Sequence, residues 1–211
     1  MSSNCYTQRV SLYSSGEKEH SLKKSKLIIA LTLSTLIGCT QQATLPSVQY
    51  AVAQSGDVQF LKQGLKHYAF APKTGTAFTR DSQLGEQASQ VFSQHIEDVL
   101  TEKGYVRVDN PASAQFIVAF GLASSDALDD EQIFQRTQLD TGVTQFPIDG
   151  ELTRDKGTFA VAFYTPKNAL PFWRALAQAA TDGDASNTEW QERTKQIVGS
   201  VFNQVPYNKN W

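Results

Sequence analysis

This chain has little cysteine, little histidine and no excess of either charge. Two cysteines, Cys5 and Cys39, occur in 211 residues, too few for a disulfide framework. Lys and Arg number 19 against 21 Asp and Glu, for a net charge of -2 and a pI near 5.9. Nothing electrostatic therefore draws the chain to nucleic acid. The seven prolines do not gather into a low-complexity tract, and no segment repeats. There is no G-x-S-x-G nucleophile turn and no glycine-rich phosphate loop leading into a helix. The longest greasy run, Leu27 to Gly38, is twelve residues, well short of the about 20 that a membrane-spanning helix requires. What is present is ordinary: 40% hydrophobic and 19% charged residues, with length for one domain and a real core.

The short greasy run has a context. Lys23, Lys24 and Lys26 precede it, Leu36-Ile37-Gly38-Cys39 closes it, and polar Thr40-Gln41-Gln42 follows. Basic patch, short apolar run and small residue are the order of a secretory signal. Leu36, a tolerated apolar residue and Gly38 immediately before Cys39 resemble the bacterial lipobox. That resemblance implies cleavage between Gly38 and Cys39, diacylglycerol on the Cys39 thiol and an acyl chain on the new amino terminus. More than one acyl chain makes such an anchor stable. Thr40 rather than Asp after the cysteine implies sorting to the outer membrane, on its periplasmic side. Cys5 leaves with the signal, so Cys39 has no partner within the mature chain. The segment before Lys23 is long for a signal, and a start near Leu22 would give a conventional one. Loss of residues 1–38 removes Arg9, Lys18, Lys23, Lys24, Lys26, Glu17 and Glu19, leaving a mature chain with a net charge of -5. An acidic body is held at anionic lipid by its acyl chains rather than by charge.

The organisation expected is a signal segment over 1–38, the lipidated Cys39 with a tether over 39–47, one α+β domain over 48–206 and a tail over 207–211. Val48–Ala53 and Leu65–Pro72 read as strands, the second stopped by Pro72. Asp81 or Ser82 caps a helix whose apolar positions, Leu84, Ala88, Val91, Phe92, Ile96, Val99 and Leu100, fall on one stripe. Lys103-Gly104 closes it. Tyr105–Pro111 reads as a short strand, and Ala114–Ala123, nearly all apolar, as a central one. Gly157–Pro166 and Leu170–Thr181 form a further pair. Thr188 and Gln191 fit a capping box for a last helix carrying Trp190, Ile197, Val198, Val201, Phe202 and Val205, ended by Pro206. The expected fold is a two-layer α+β sandwich: a mostly antiparallel sheet of about six strands with two amphipathic helices on one face. Ser124–Lys156 is a long, weakly periodic stretch with one short helix within Leu128–Arg136. It is read as a recognition loop or a bland insertion.

This order of elements resembles a known family. A strand ending Tyr68-Ala69-Phe70, a helix, then "KGYVRVDNPASAQFIVAF" (Lys103–Phe120), a strand led by Gly157, a strand opening Phe172-Trp173-Arg174 and a helix closing at Val205-Pro206 resemble bacterial lipoproteins of domain of unknown function 4136. The likeness spans about Val48 to Pro206. It departs from the family pattern at Gln115, where members often carry Asp, and at Pro72, where they often carry Trp. It implies a lipid-anchored envelope domain of mixed fold and carries over no catalytic residue and no cofactor.

Chemistry-bearing groups are sparse. His95 and Asp98 stand i, i+3 and could share a metal, but His95 falls on the apolar stripe and reads as a satisfied, partly buried histidine. No metal site is assigned. "DGDASNTE" (Asp182–Glu189) resembles an acidic calcium loop, yet its twelfth position is Arg193, and it reads as a turn. Asp126, Asp129, Asp130 and Glu131 form an acidic cluster that could do acid–base work but reads as solvated. Tyr207 and Trp211 are candidate partner contacts. The expected role is non-enzymatic: a binding or adaptor domain for another envelope component, tied to the membrane through Cys39 and not contacting nucleic acid. The alternatives are a carrier of a small apolar ligand or lipid between helices and sheet, and a carboxylate-dependent envelope hydrolase.

Overall fold

Why the strands lie where they do follows from which residues each turns inward. The computed structural model describes residues 49–148, 151–181 and 186–208, all within one compact unit, Thr44–Trp211. The chain opens with β1 (Tyr50–Gly56), β2 (His67–Phe70) and β3 (Thr76–Phe78), then α1 (Ser82–Glu102) and β4 (Val106–Arg107). Next come β5 (Phe116–Ser124), α2 (Asp130–Thr137), a hairpin of β6 (Phe146–Ile148) and β7 (Glu151–Thr153), β8 (Lys156–Tyr164), β9 (Trp173–Ala180) and α3 (Asn187–Val201). Seven strands form one sheet in the order β1-β9-β8-β5-β2-β4, with β3 also paired to β5. The three long pairings, β1 with β9, β9 with β8 and β8 with β5, are antiparallel; the short pairings of β2 and β3 with β5, and of β2 with β4, are parallel.

α1 and α3 cover the same face of this sheet, as their shared core with Phe116, Val118, Phe163 and Trp173 requires. Both follow strands that point the same way, so both run back in the same direction. Their C-terminal ends meet, where Lys103 Nζ donates to the Val205 carbonyl at 2.9 Å and the Tyr105 hydroxyl donates to that of Pro206 at 2.8 Å. That end of the core is aromatic: Phe163 lies 4.7 Å from Trp173 and 5.8 Å from Phe202, ring centre to ring centre.

The α+β sandwich is as expected, with several differences. β3 was not anticipated: three residues with polar Thr76 at their head carry too little alternation to read. The strand expected over Tyr105–Pro111 is only β4, because Asn110 and Pro111 start a 3-10 turn whose first free N–H is capped by the Asn110 side chain. α1 is capped by Asp81, which accepts from Leu84 N–H at 3.0 Å. α3 is capped by Ser186 and Glu189 rather than Thr188 and Gln191. Both pairs have the box spacing, but the chain becomes helical two residues earlier. α3 gives way to a 3-10 turn, Phe202–Gln204, before Pro206 is reached.

The stretch between Ser124 and Lys156 is no featureless loop. It holds α2 and the β6–β7 hairpin, and α2 packs on the sheet face opposite α1 and α3. There Leu128, Ile133 and Leu139 bury Leu176. Leu176 and Gln178 point to this second face while Ala175, Ala177 and Ala179 point to the first, the ordinary alternation of a strand.

Candidate functional site

The inward residues taper along the sheet. In β9 they are Trp173, Ala175, Ala177 and Ala179; in β8 they are Phe163, Val161, Phe159 and Gly157. At the Trp173–Phe163 end the helices close on an aromatic core. Toward Ala179 and Gly157 the side chains shrink, and the N-terminal halves of α1 and α3 stand apart. A groove of about 1080 Å³ remains between them, with the sheet as its floor.

Its inner wall is the Phe92–Phe159 pair, 4.8 Å between ring centres. Gly85, Ala88 and Val91 of α1 line one side, and Trp190, Thr194 and Ile197 of α3 the other. At Gly85 α1 lies against β3 and the residue after it: an added Cβ would stand 2.8 Å from Thr79 Cγ2 and 3.0 Å from Ala77 Cβ. The lip carries an apolar side chain in the open, Leu84 at 54% exposure, while Phe78, in register with Ala123, turns toward the α2 face. The Arg136 guanidinium of α2 lies 4.9 Å from the Phe78 ring. The inner floor is apolar, Phe159, Ala177 and Ala179, with the Thr181 side chain beside Gly157 at its outer end, and the buried Thr194 hydroxyl already donates to the Trp190 carbonyl at 2.9 Å. Polar and charged groups, among them Gln87, Asp126, Asp155 and Arg193, stand at the rim. The site can desolvate an apolar body; it sets no acid–base pair against a substrate.

A second, smaller cavity of about 390 Å³ lies under α2 on the other face, lined by Leu128, Asp129, Asp130, Arg154 and Lys156. Beside it is a buried polar network. Lys156 Nζ donates to both Asp130 oxygens at 2.8 and 2.7 Å and to the Val143 carbonyl at 3.0 Å. Gln178 Nε2 donates to Asp130 Oδ1 at 2.9 Å, and the Thr141 hydroxyl bonds Gln178 Oε1. Burial alone would raise the Asp130 carboxyl; hydrogen bonds from Lys156 and Gln178 and the Lys156 charge outweigh it and hold it below its ordinary value. The network ties α2 and the segment after it to the sheet.

The acidic cluster is thereby divided. Asp126 pairs with Arg80 at 3.4 Å and with the Ser124 hydroxyl, at the groove rim. Asp129 caps α2, accepting from Gln132 N–H at 2.8 Å. The two line different cavities, and Asp130 is held by Lys156, so this cluster is neither merely solvated nor convergent. Among the described residues no three His, Cys, Asp or Glu side chains are placed to hold a metal. His95 is partly buried, but it is not satisfied: Nδ1 is 3.9 Å from Asp98 Oδ2, and buried Nε2 has no partner. Tyr207 lies on the body with the Lys103 ammonium 4.3 Å from its ring, yet remains 55% exposed. Gly38, Cys39, the tether, the Asp182–Ala185 part of the acidic turn and Trp211 lie outside the described residues. Among the described residues no helix is long and apolar enough to cross a membrane.

Sequence reasoning offers an apolar site between helices and sheet only as an alternative and names no residue of it, although the sequence left a signal. The inward positions of "WRALAQAA" read Trp, Ala, Ala, Ala, a strand that fills its core at one end only.

No curated protein matches the chain. The chain is similar to a solved PelC dodecamer from Paraburkholderia phytofirmans, at 13% identity over 77% of this chain and 100% of that one, with a TM-score of 0.43. It is also similar to a DUF4136 family protein from Bacteroides thetaiotaomicron, at 15% identity over 77% of this chain and 98% of that one, with a TM-score of 0.46. Residues 48–207 match the family described as Domain of unknown function (DUF4136), and with most of its length so matched the chain belongs to that family.

Proposed function

We propose that this chain is a bacterial envelope lipoprotein, cleaved after Gly38 and held by diacyl and N-acyl chains on Cys39 at the periplasmic side of the outer membrane. Its domain is a non-enzymatic binding module, and its site is the groove between α1 and α3, which takes an apolar ligand. The observation that carries this reading is the groove itself: about 1080 Å³, at or above the top of the about 300–1,000 Å³ range of small-molecule sites, floored by alanines and glycine. The division of Asp126, Asp129 and Asp130 among an ion pair, a helix cap and a lysine argues against the hydrolase alternative.

Titration of the full-length protein with an apolar fluorophore such as N-phenylnaphthylamine tests the site. Saturable binding is expected. Ala88→Phe, which places a ring in the groove, should weaken it by about tenfold, or about 1.4 kcal/mol. Binding that never saturates, or is indifferent to Ala88→Phe, rejects the groove as the site.

A second reading, an adaptor for an envelope protein, has one observation of its own. Tyr207, Leu170 and Val106 are exposed at the end of the sheet away from the groove, where a partner could dock without occluding it. Crosslinking in cells, with Cys39→Ala as the unanchored control, would recover a recurrent envelope partner.

A further inference from the structure

We infer that the groove takes an acyl chain of a bilayer phospholipid, drawn in from the membrane against which the anchor holds the domain. The inference rests on the lipoprotein and groove readings above and adds the ligand's class and source.

Three observations carry it. First, the chain joins the domain at the groove end. Tyr50, which opens β1, is in register with Ala179 of the groove floor. Cys39 stands eleven positions before Tyr50, a reach of about 36 Å if fully extended. A bilayer with its headgroups is about 40–45 Å thick, so the mouth stays within a bilayer's width of the lipid surface. The aromatic end of the core, with Lys103 and Tyr207, lies at the other end of the sheet.

Second, the inner floor, Phe159, Ala177 and Ala179, has no side chain to offer a polar occupant. A peptide laid in it would bring amide groups that need partners once out of water. The strand amides of the floor are engaged in the sheet ladder, and the Thr194 hydroxyl is engaged with Trp190. An unbranched hydrocarbon asks for no partner, and Ala88, Val91, Ala177 and Ile197 present it with methyl groups.

Third, charge gathers at the rim, and both signs are present there, Asp126 with its partner Arg80, Asp155 and Arg193. A rim of mixed sign complements a headgroup that itself carries both, as a zwitterionic phospholipid does.

Trp190 lines the groove and makes the test optical. Full-length lipidated protein carrying Trp211→Phe is reconstituted in phosphatidylethanolamine-rich vesicles whose phospholipid acyl chains are brominated. Bromine quenches tryptophan only near contact. The expected result is loss of the Trp190 share of the emission, while Trp173, buried behind Phe163 and Phe202, keeps its own. Ala88→Phe should restore the lost emission, as should Leu84→Gln at the exposed lip, a position that folding does not depend on. In Trp190→Phe the remaining emission should be unaffected by bromine. A parallel arm gives brominated fatty acid to the Cys39→Ala chain in solution. Quenching there with silence in the vesicles would overturn the bilayer source and leave the apolar-ligand reading standing. Silence in both arms would overturn both readings. Quenching in vesicles that survives Ala88→Phe and Leu84→Gln would mean surface contact only and would also overturn the inference.

Discussion

The Lys156 side chain is 5% exposed and paired with Asp130 at 2.7 Å, so removing that partner leaves its Nζ buried without the carboxylate. Asp130 is 48% exposed, and solvent screens part of the attraction. Asp130→Asn is therefore expected to cost about 2 kcal/mol, mostly through the buried ammonium left behind. Lys156→Met should cost less, because the Asp130 that remains can turn to water. Urea denaturation of both variants checks the order, and equal losses would show that the pair matters only as packing. Asp130 also sets an acid limit. Its folded pKa lies below the unfolded value, so its stabilisation is complete above that value and disappears as pH falls through the folded one. Asp130→Asn should thus flatten the stability curve below about pH 4. Tyr105 sets the opposite limit. Burial pushes its phenol up to about 12 from an ordinary 10, so its contribution is whole below 10 and is lost as pH rises through about 12. Tyr105→Phe should remove that alkaline loss. Gln115 shows that a family position can change chemistry and keep its task. Its Oε1 accepts from the backbone N–H groups of Lys66 and His67 at 2.7 and 2.9 Å, as a carboxylate in that place would.

Helix α3 depends on its first turn. Ser186 accepts from Glu189 N–H at 3.3 Å, and the Glu189 carboxylate accepts from Ser186 N–H at 3.0 Å. Ser186→Ala should lower stability by about 1 kcal/mol, read from the urea midpoint, and Thr188→Ala by much less. α2 is a different case. Deleting 128–145 would uncover Leu176 and leave Lys156 without Asp130, so the melting temperature should fall, whether or not any ligand site is touched. A deletion without thermal effect would show that α2 is not part of the folded core. Both long helices were legible in the sequence because their stripes repeat at helical spacing over several turns. So was β5, whose run of apolar residues sits between turn signals. β3 and the β6–β7 hairpin were not, since three residues hold no period. The second face escaped because Leu176 and Gln178 of β9 gain their meaning only when α2 lies over them. The groove was half legible: the alanines are there to be counted, but which of them face inward depends on register.

The molecule has two ends of different character. One is aromatic and closed; the other holds the groove and receives the chain from its amino-terminal side. If Cys39 is lipidated, Cys39→Ala should move the protein from the detergent phase to the aqueous phase in a Triton X-114 partition, with no change in melting temperature; an unchanged partition would remove the anchor. β1 has one more consequence, and it concerns time. Its partner is β9, so residues 50–56 wait for residues 173–179, and so long a loop must close before any of those hydrogen bonds form. Protein chains emerge amino terminus first, from a ribosome or an export channel alike. The first strand to appear, "YAVAQSG", has neither charge nor proline to discourage stray pairing. Among the described strands it therefore spends the longest interval without its mate, and one edge of the sheet is set by the earliest-made of them.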